Sequence, residues 1–340
     1  MTHKTVLITG ANGEIGHGLI HHLAEAGGVD VVAMDLQPLD PALSAKCVRV
    51  VAGDILNTQL IDTVSAAFHF DAVYHLAALL STRAERQPVL AHRVNVDGTL
   101  NLLEMAVTQA RVQGRPLTFL YPSSIAVYGL PSLEAKAKAG AIRETEWCAP
   151  HTMYGINKLY CEQLGQYYTR FYRQLDQGLV PQPVDFRCLR FPGLISADTL
   201  PAGGTSDFGP EMLHAAARGE PYAAFVRDDT RIPFMAMPDA VRALLALEAT
   251  PPDALAQRVY NVRAFNPSAA EFETLVRRAF PAARTTFAPD LKRQAILDSW
   301  PEDVDDDAAT RDWGWRPRYD LAGAFTEYLL PAVRARYAAR

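Results

Sequence analysis

The 340 residues carry 33 Lys and Arg against 38 Asp and Glu, a formal net charge of -5, with 49% hydrophobic and 21% charged residues. That balance is ordinary for a globular chain with one large α/β unit or two intimate domains. So mild a charge argues against nucleic acid or an anionic membrane as partner, and no apolar run is long enough to span a bilayer. The cysteines, Cys47, Cys148, Cys161 and Cys188, show no paired spacing. Reduced thiols in a cytoplasm are therefore expected, not a zinc site or a disulfide framework. A strand-like run begins at Lys4, which leaves no room for a cleaved signal peptide.

Residues 4–9 read as a buried strand. Gly10-Ala11-Asn12-Gly13-Glu14-Ile15-Gly16 follows, and then a helical pattern through Leu19, Ile20 and Leu23 to Gly27-Gly28. Glycines spaced three apart let the backbone turn tightly and approach a pyrophosphate, which then sits at the positive end of the helix. A glycine pattern alone is weak; here the strand and the helix lie where a dinucleotide site requires them. The second strand, Val31–Asp35, ends in an acid 19 positions past Gly16, close to the ~20 expected of a residue that bonds the adenosine ribose. A carboxylate there repels a 2′-phosphate, and Leu36-Gln37-Pro38 offers no cation to bind one. The expected cofactor is NAD, not NADP.

A third strand, Val48–Val51, runs into Gly53-Asp54-Ile55. Asp54 fits either a bond to the adenine amino group or an ordinary turn. The fourth strand, Ala72–Leu76, opens into Ala77-Ala78-Leu79-Leu80-Ser81, where small residues let the backbone pass close to a cofactor. His75 reads as a packed core histidine. Asn95, four residues before Thr99, lies on a helical stretch that brings its amide towards the site. Strands alternating with helices at this period mean a doubly wound parallel sheet. The fifth strand, Leu117–Tyr121, ends in Pro122-Ser123-Ser124-Ile125-Ala126-Val127-Tyr128-Gly129, and ligands bind at the carboxyl ends of such strands. Thr152 is the N-cap expected of a helix patterned through Leu159, Leu164, Tyr168 and Phe171. Tyr154 and Lys158, four apart, share a face of it. A phenol, with a reference pKa of about 10, is a poor base unless a cation favours the phenolate, and Lys158 is the partner such a tyrosine needs.

Together these residues resemble the extended short-chain dehydrogenase/reductase family: G-x-x-G-x-x-G at Gly10–Gly16, S-S-x-x-V-Y-G at Ser123–Gly129 and Y-x-x-x-K at Tyr154–Lys158. The resemblance implies a Rossmann domain over residues 1–190 with a returning segment at about 230–262. A smaller, discontinuous C-terminal substrate domain would comprise 191–229 and 263–340. It implies Ser124, Tyr154 and Lys158 as the catalytic set. The cofactor would lie along Gly10, Asn12, Gly13, Glu14, Ile15, Gly16, Asp35, Asp54, Ile55, Leu76, Ala77, Ala78, Asn95, Tyr154 and Lys158.

The second half narrows the resemblance. The sixth strand, Val184–Arg190, is followed by Phe191-Pro192-Gly193-Leu194-Ile195-Ser196 and Ala202-Gly203-Gly204-Thr205-Ser206-Asp207-Phe208. Farther on come Ile232-Pro233-Phe234-Met235-Ala236-Met237-Pro238-Asp239-Ala240, Asp298-Ser299-Trp300-Pro301 and Asp312-Trp313-Gly314-Trp315. This succession resembles the epimerase-like, short-chain type of L-threonine 3-dehydrogenases. It implies oxidation of a small hydroxy-amino acid by NAD in a homodimer joined through long helices. A sugar-nucleotide epimerase or dehydratase is the alternative. Ser81, Ser123, Ser124, Tyr154, Thr205 and Asp207 are the substrate candidates. Asp207 fits equally a helix N-cap and a partner for a substrate ammonium, and both roles are compatible.

Three expectations complete the reading. Leu130–Trp147, with Lys136, Lys138, Glu144 and Glu146, is longer than the family pattern and is preferred as a solvated surface loop over a lid. The acidic run Glu302–Asp307 is expected to be solvated capping, not a metal site. Ile232-Pro233 stands where epimerases carry a phosphate-pairing Arg and an acid, with Arg231 one position away.

Overall fold

The computed structural model describes residues 3–176, 182–197, 199–201 and 203–338. Ala202, named above, lies outside the described residues. Seven strands form the central sheet: β1 (Lys4–Thr9), β2 (Val29–Asp35), β3 (Arg49–Ala52), β4 (Ala72–His75), β5 (Leu117–Ser124), β6 (Val184–Phe191) and β7 (Val259–Asn261). Their order is β7-β6-β5-β4-β1-β2-β3, and every pairing is parallel. The apolar runs of β1, β5 and β6 match strands covered on both faces. The order reverses between β1 and β4, the switch point where such sheets bind ligands beyond the strand ends.

Two apolar cores flank the sheet. On one face Leu19 and Ile20, from the helix Glu14–Ala26, pack with Leu244 and Leu247, from the helix Met237–Ala249. On the other, Leu102 and Leu103 of the helix Gly98–Gln113 meet Cys161 and Tyr168 of the helix Met153–Arg170. A third core contains Phe208, Phe234, Phe272, Trp300 and Phe325, drawn almost wholly from the second half of the chain. His75 is buried between Thr9 Oγ1 at 2.8 Å and Thr99 Oγ1 at 2.9 Å. Burial and the Lys158 charge lower it to about 3, so it is a neutral core residue.

Leu130–Trp147 is not a solvated loop. Leu133–Ala139 is a helix, and Ala141–Ile142 pairs in parallel with Asp303–Val304. Ile142 is fully buried in the third core. Lys136 is 4% exposed and donates to Leu297 O at 2.9 Å. The segment contributes an apolar residue and a strand edge, so it packs down instead of hydrating. The carboxylates of the acidic run also find partners. Asp303 lies 3.1 Å and Asp306 3.8 Å from Arg263, and Asp305 lies 3.3 Å from Arg143. Asp305 also accepts from Asp307 N at 2.9 Å.

Candidate active site

The loop after β1 is shaped by close approach. Gly10 has φ +66°, and a Cβ there would lie 2.5 Å from Ala77 N. A Cβ on Gly16 would lie 2.5 Å from Ala11 O. The loops after β1 and β4 thus touch through backbone at the switch point. Gly13 heads the helix Glu14–Ala26 without a side-chain cap, which leaves the first-turn N–H groups for a ligand. Asp35, at the end of β2, accepts from Asn12 N at 2.9 Å and from Gln37 N at 3.1 Å. Its carboxylate is thereby fixed beside the glycine loop. A bare helix terminus, a Cβ-free cradle and a held carboxylate are the features an adenosine diphosphate with a free 2′-hydroxyl needs, so the residues present fit NAD.

The next candidates divide. Asp54 accepts from Leu56 N at 2.9 Å, the turn geometry weighed for it. Ile55 is buried, and a Cβ on Gly98 would lie 2.4 Å from its Cδ1. Asn95 does not extend a free amide. Its Oδ1 accepts from Leu79 N at 2.7 Å and its Nδ2 donates to Leu79 O at 3.1 Å. Sited on a π-helical turn, Arg93–Asp97, it clamps the loop after β4.

Ser124 closes β5 and starts a 3-10 turn, Ile125–Val127, with its Oγ accepting from Ala126 N at 3.2 Å. Thr152 caps the next long helix as expected, accepting from Gly155 N at 3.1 Å. A Cβ on Gly155 would lie 2.0 Å from Ala126 O. Glycine there lets the helix start seat against the turn, which brings Tyr154 to Ser124. Lys158 is 4% exposed, and its Nζ donates to Pro122 O at 2.6 Å. The Nζ lies 4.4 Å from the Tyr121 ring centroid and 5.6 Å from that of Tyr154. Burial lowers the ammonium to about 8, against Cys161, Cys188 and Glu162, which hold it up. Burial pushes the Tyr154 phenol above its ordinary range, and a hydrogen bond with Ser124 is what opposes it.

Ser123 corrects the sequence reading. Neighbours on an extended strand point to opposite faces. The Ser123 hydroxyl is buried and donates to Glu162 Oε1 at 2.5 Å, away from Ser124. It joins a buried network that the sequence reading missed. Arg190 pairs with Glu162 at 2.6 Å, and donates to Tyr128 Oη at 2.9 Å and Glu144 O at 2.7 Å. Glu162 lies four residues past Lys158 on the same helix, and Arg190 is a cation in an apolar strand; those were the available signals.

Across the site, Thr205 is 4% exposed and donates to Ser81 Oγ at 3.0 Å, while Thr82 donates to Gly203 O at 3.1 Å. Asp207 occupies the N-cap position of the helix Phe208–Arg218 but makes no side-chain cap bond. Its Oδ2 accepts from Gly204 N at 2.7 Å instead. Leu79 and Ala84, either side of Ser81, pack with Tyr154. Thr205 thus meets Ser81 on a segment whose apolar residues pack with Tyr154, whereas Arg231 pairs with Glu271 at 3.0 Å. Among the described residues no cluster of three or more metal-ligating side chains occurs, and no helix is long and apolar enough to cross a membrane.

A doubly wound parallel sheet with a glycine-rich nucleotide loop and a Ser/Tyr/Lys cluster at its carboxyl edge defines a nicotinamide-dinucleotide enzyme. The sequence pattern of the NAD dependent epimerase/dehydratase family matches residues 6–262. The chain belongs to that family and is an NAD-dependent oxidoreductase. It is 34% identical over 329 residues to the mitochondrial L-threonine 3-dehydrogenase of Bos taurus, covering 96% of this chain and 82% of that one. The holo form of a GalE-like L-threonine dehydrogenase from Cupriavidus necator is 34% identical, with a TM-score of 0.83 over 96% of this chain and 99% of that one. A monomeric L-threonine 3-dehydrogenase from a metagenome, in its apo form, is 32% identical, with a TM-score of 0.84 over 98% and 99% of the two chains.

Proposed function

We propose that this enzyme oxidises L-threonine, or a close small hydroxy-amino acid, at its hydroxyl carbon to give 2-amino-3-oxobutanoate. The observation that carries this is the Thr205–Ser81 contact, 3.0 Å, which joins the loop Gly203–Asp207 to the segment packed on Tyr154. The likeness to threonine dehydrogenases extends over nearly the whole chain and supports the same reading. Residues 1–190 with about 230–262 hold the nucleotide, and 191–229 with 263–340 hold the substrate. Bound NAD supplies the hydride acceptor and a cation that favours the phenolate.

Tyr154, as phenolate, takes the proton of the substrate hydroxyl as the carbon–hydrogen bond breaks and the carbonyl forms. Two electrons leave with the hydride. Ser124 hydrogen-bonds the reacting oxygen and holds it at the Tyr154 oxygen. Lys158 orients the nicotinamide ribose and adds positive charge near the phenolate. Ser81, Thr205 and Asp207 hold the substrate's polar ends, with Asp207 nearest its ammonium. Asp35 holds the adenosine ribose. The small hydroxyls of Ser81, Thr205 and Ser124 suit a compact zwitterion, and Arg231, engaged by Glu271, is a poor anchor for a nucleotide diphosphate.

The test is NADH formation from NAD against a panel of small hydroxy-amino acids and hydroxy acids, with product identification. Threonine is expected to give the highest kcat/KM. Turnover of a sugar nucleotide with no NADH release would replace this reading with the epimerase alternative.

A further inference from the structure

Arg293 lies on the helix Leu291–Ser299, 89 residues along the chain from Gly204. Its Nη2 donates to Gly204 O at 2.7 Å and lies 3.5 Å from Gly203 O. The guanidinium covers the Phe225 ring, with Cζ 3.2 Å from the ring centroid. Its Nε is buried and has no hydrogen-bond partner among the described residues. A partly buried guanidinium needs groups that replace the water it loses. Here two peptide carbonyls and a ring face do so.

The loop that receives this cation is also held by Thr82, which donates to Gly203 O at 3.1 Å. Gly203 has φ +81°, a conformation that favours glycine, and a Cβ on Gly204 would lie 2.8 Å from Asp207 Oδ1, so the loop backbone runs close to that carboxylate. On Gly204, Asp207 fixes the N–H and Arg293 fixes the C=O. Thr205 follows directly, with its hydroxyl on Ser81.

We infer that Arg293 is a positioning residue for substrate binding: it locks the two peptide planes around Gly204, so that Thr205 and Asp207 face the alcohol already ordered. The inference rests on reading Gly203–Asp207 as the substrate loop. In the full-length enzyme, hydrogen–deuterium exchange is measured for peptides spanning 203–211 in wild type, R293M and R293K. R293M is expected to exchange at least roughly tenfold faster there and to match wild type over 4–35. Unchanged exchange overturns the anchoring whatever the substrate proves to be.

Steady-state kinetics with NAD and L-threonine give the second readout. R293M raises KM for the amino acid roughly tenfold or more, leaves KM for NAD within about twofold, and lowers kcat less. R293K recovers part of the loss, since an ammonium reaches one carbonyl but cannot cover Phe225 in the same way. Faster exchange with unmoved kinetics overturns the positioning role. A wild type inert towards threonine counts against the substrate reading instead, and the exchange experiment still judges Arg293. R293K serves for both measurements if R293M fails to fold.

Discussion

Tyr154, the proton acceptor of the proposed mechanism, works against its own surroundings. Burial raises the Tyr154 phenol, and the nearby ammonium is committed to Pro122 O, 5.6 Å from the phenol ring centroid. On the proposed mechanism Lys158 alone therefore does not make the phenolate, and Ser124 and the charge of bound NAD would have to contribute. Tyr154→Phe should reduce turnover by roughly 10²–10⁴-fold while the NAD dissociation constant moves less than about threefold; near-normal turnover would remove Tyr154 from the proton transfer. Lys158 adds a stability signature. Folding lowers it from 10.5 to about 8. Between those values the unfolded chain holds more protons, so the folded state gains stability as pH rises from about 8 towards 10.5, and that gain is absent below about 8. Lys158→Met should lack this gain, so its Tm relative to wild type is highest near pH 7 and falls by pH 10. A constant difference across that range would mean that Lys158 is not a desolvated cation. The proximity of Ser124, Tyr154 and Lys158 was legible because they lie on one strand end and one helix turn, where spacing alone fixes direction. Ser123 was misread because a serine pair tells nothing of which hydroxyl a buried glutamate takes. Arg293 was illegible because its partner is 89 residues away.

The elements around the switch point are held by buried polar pins as well as by apolar packing. Thr9 on β1, His75 on β4 and Thr99 on the helix Gly98–Gln113 form one such pin, and burial with the nearby Lys158 charge disfavours a protonated imidazole there. The folded value of about 3 lies below the ordinary 6.5. Stability from this site is complete above about 6.5 and is lost progressively as pH falls towards 3, because the unfolded chain protonates first. His75→Gln keeps hydrogen bonds to both threonines within reach and removes the titration, so its Tm should fall less steeply than wild type between pH 6 and 4. Parallel curves would assign the acid sensitivity elsewhere, for instance to His214, which burial also lowers. At the tip of β2, Asp35 is held by Asn12 N and Gln37 N. Asp35→Ala should weaken NAD roughly 10–100-fold and narrow its preference over NADP, read by fluorescence titration with both dinucleotides. An unchanged ratio would place the ribose contact on another residue. The alternating pattern foretold the parallel sheet because both faces are covered and its strands are apolar runs. The Leu130–Trp147 segment escaped because its two-residue strand, Ala141–Ile142, pairs with Asp303–Val304 far along the chain. Nothing local marks such a pairing.

At the scale of the molecule, the helix that carries Tyr154 and Lys158 has two working faces. Gly155, Asn157, Lys158, Cys161, Glu162 and Gly165 turn inward, while Ile156, Tyr160 and Tyr167 remain 50%, 53% and 40% exposed. Spacings of four and seven put those three on one outward stripe, and exposed Leu100 on a neighbouring helix adds to the apolar surface. The homodimer that the sequence resemblance implies would place its contact on this stripe, on the helix that carries Tyr154 and Lys158. One similar enzyme is described as monomeric, so the expectation needs a direct test. Wild type should elute, by light scattering after gel filtration, near twice the 37.3 kDa chain mass. Ile156→Glu with Tyr160→Glu should give the chain mass alone, because two carboxylates on each facing helix would be buried without partners. Both positions flank inward residues of the catalytic turn, so loss of the contact should also lower kcat, and raising the protein concentration should not restore it. A wild type at the single-chain mass at micromolar concentration would dismiss the dimer. A double variant still at twice that mass would move the contact to another face.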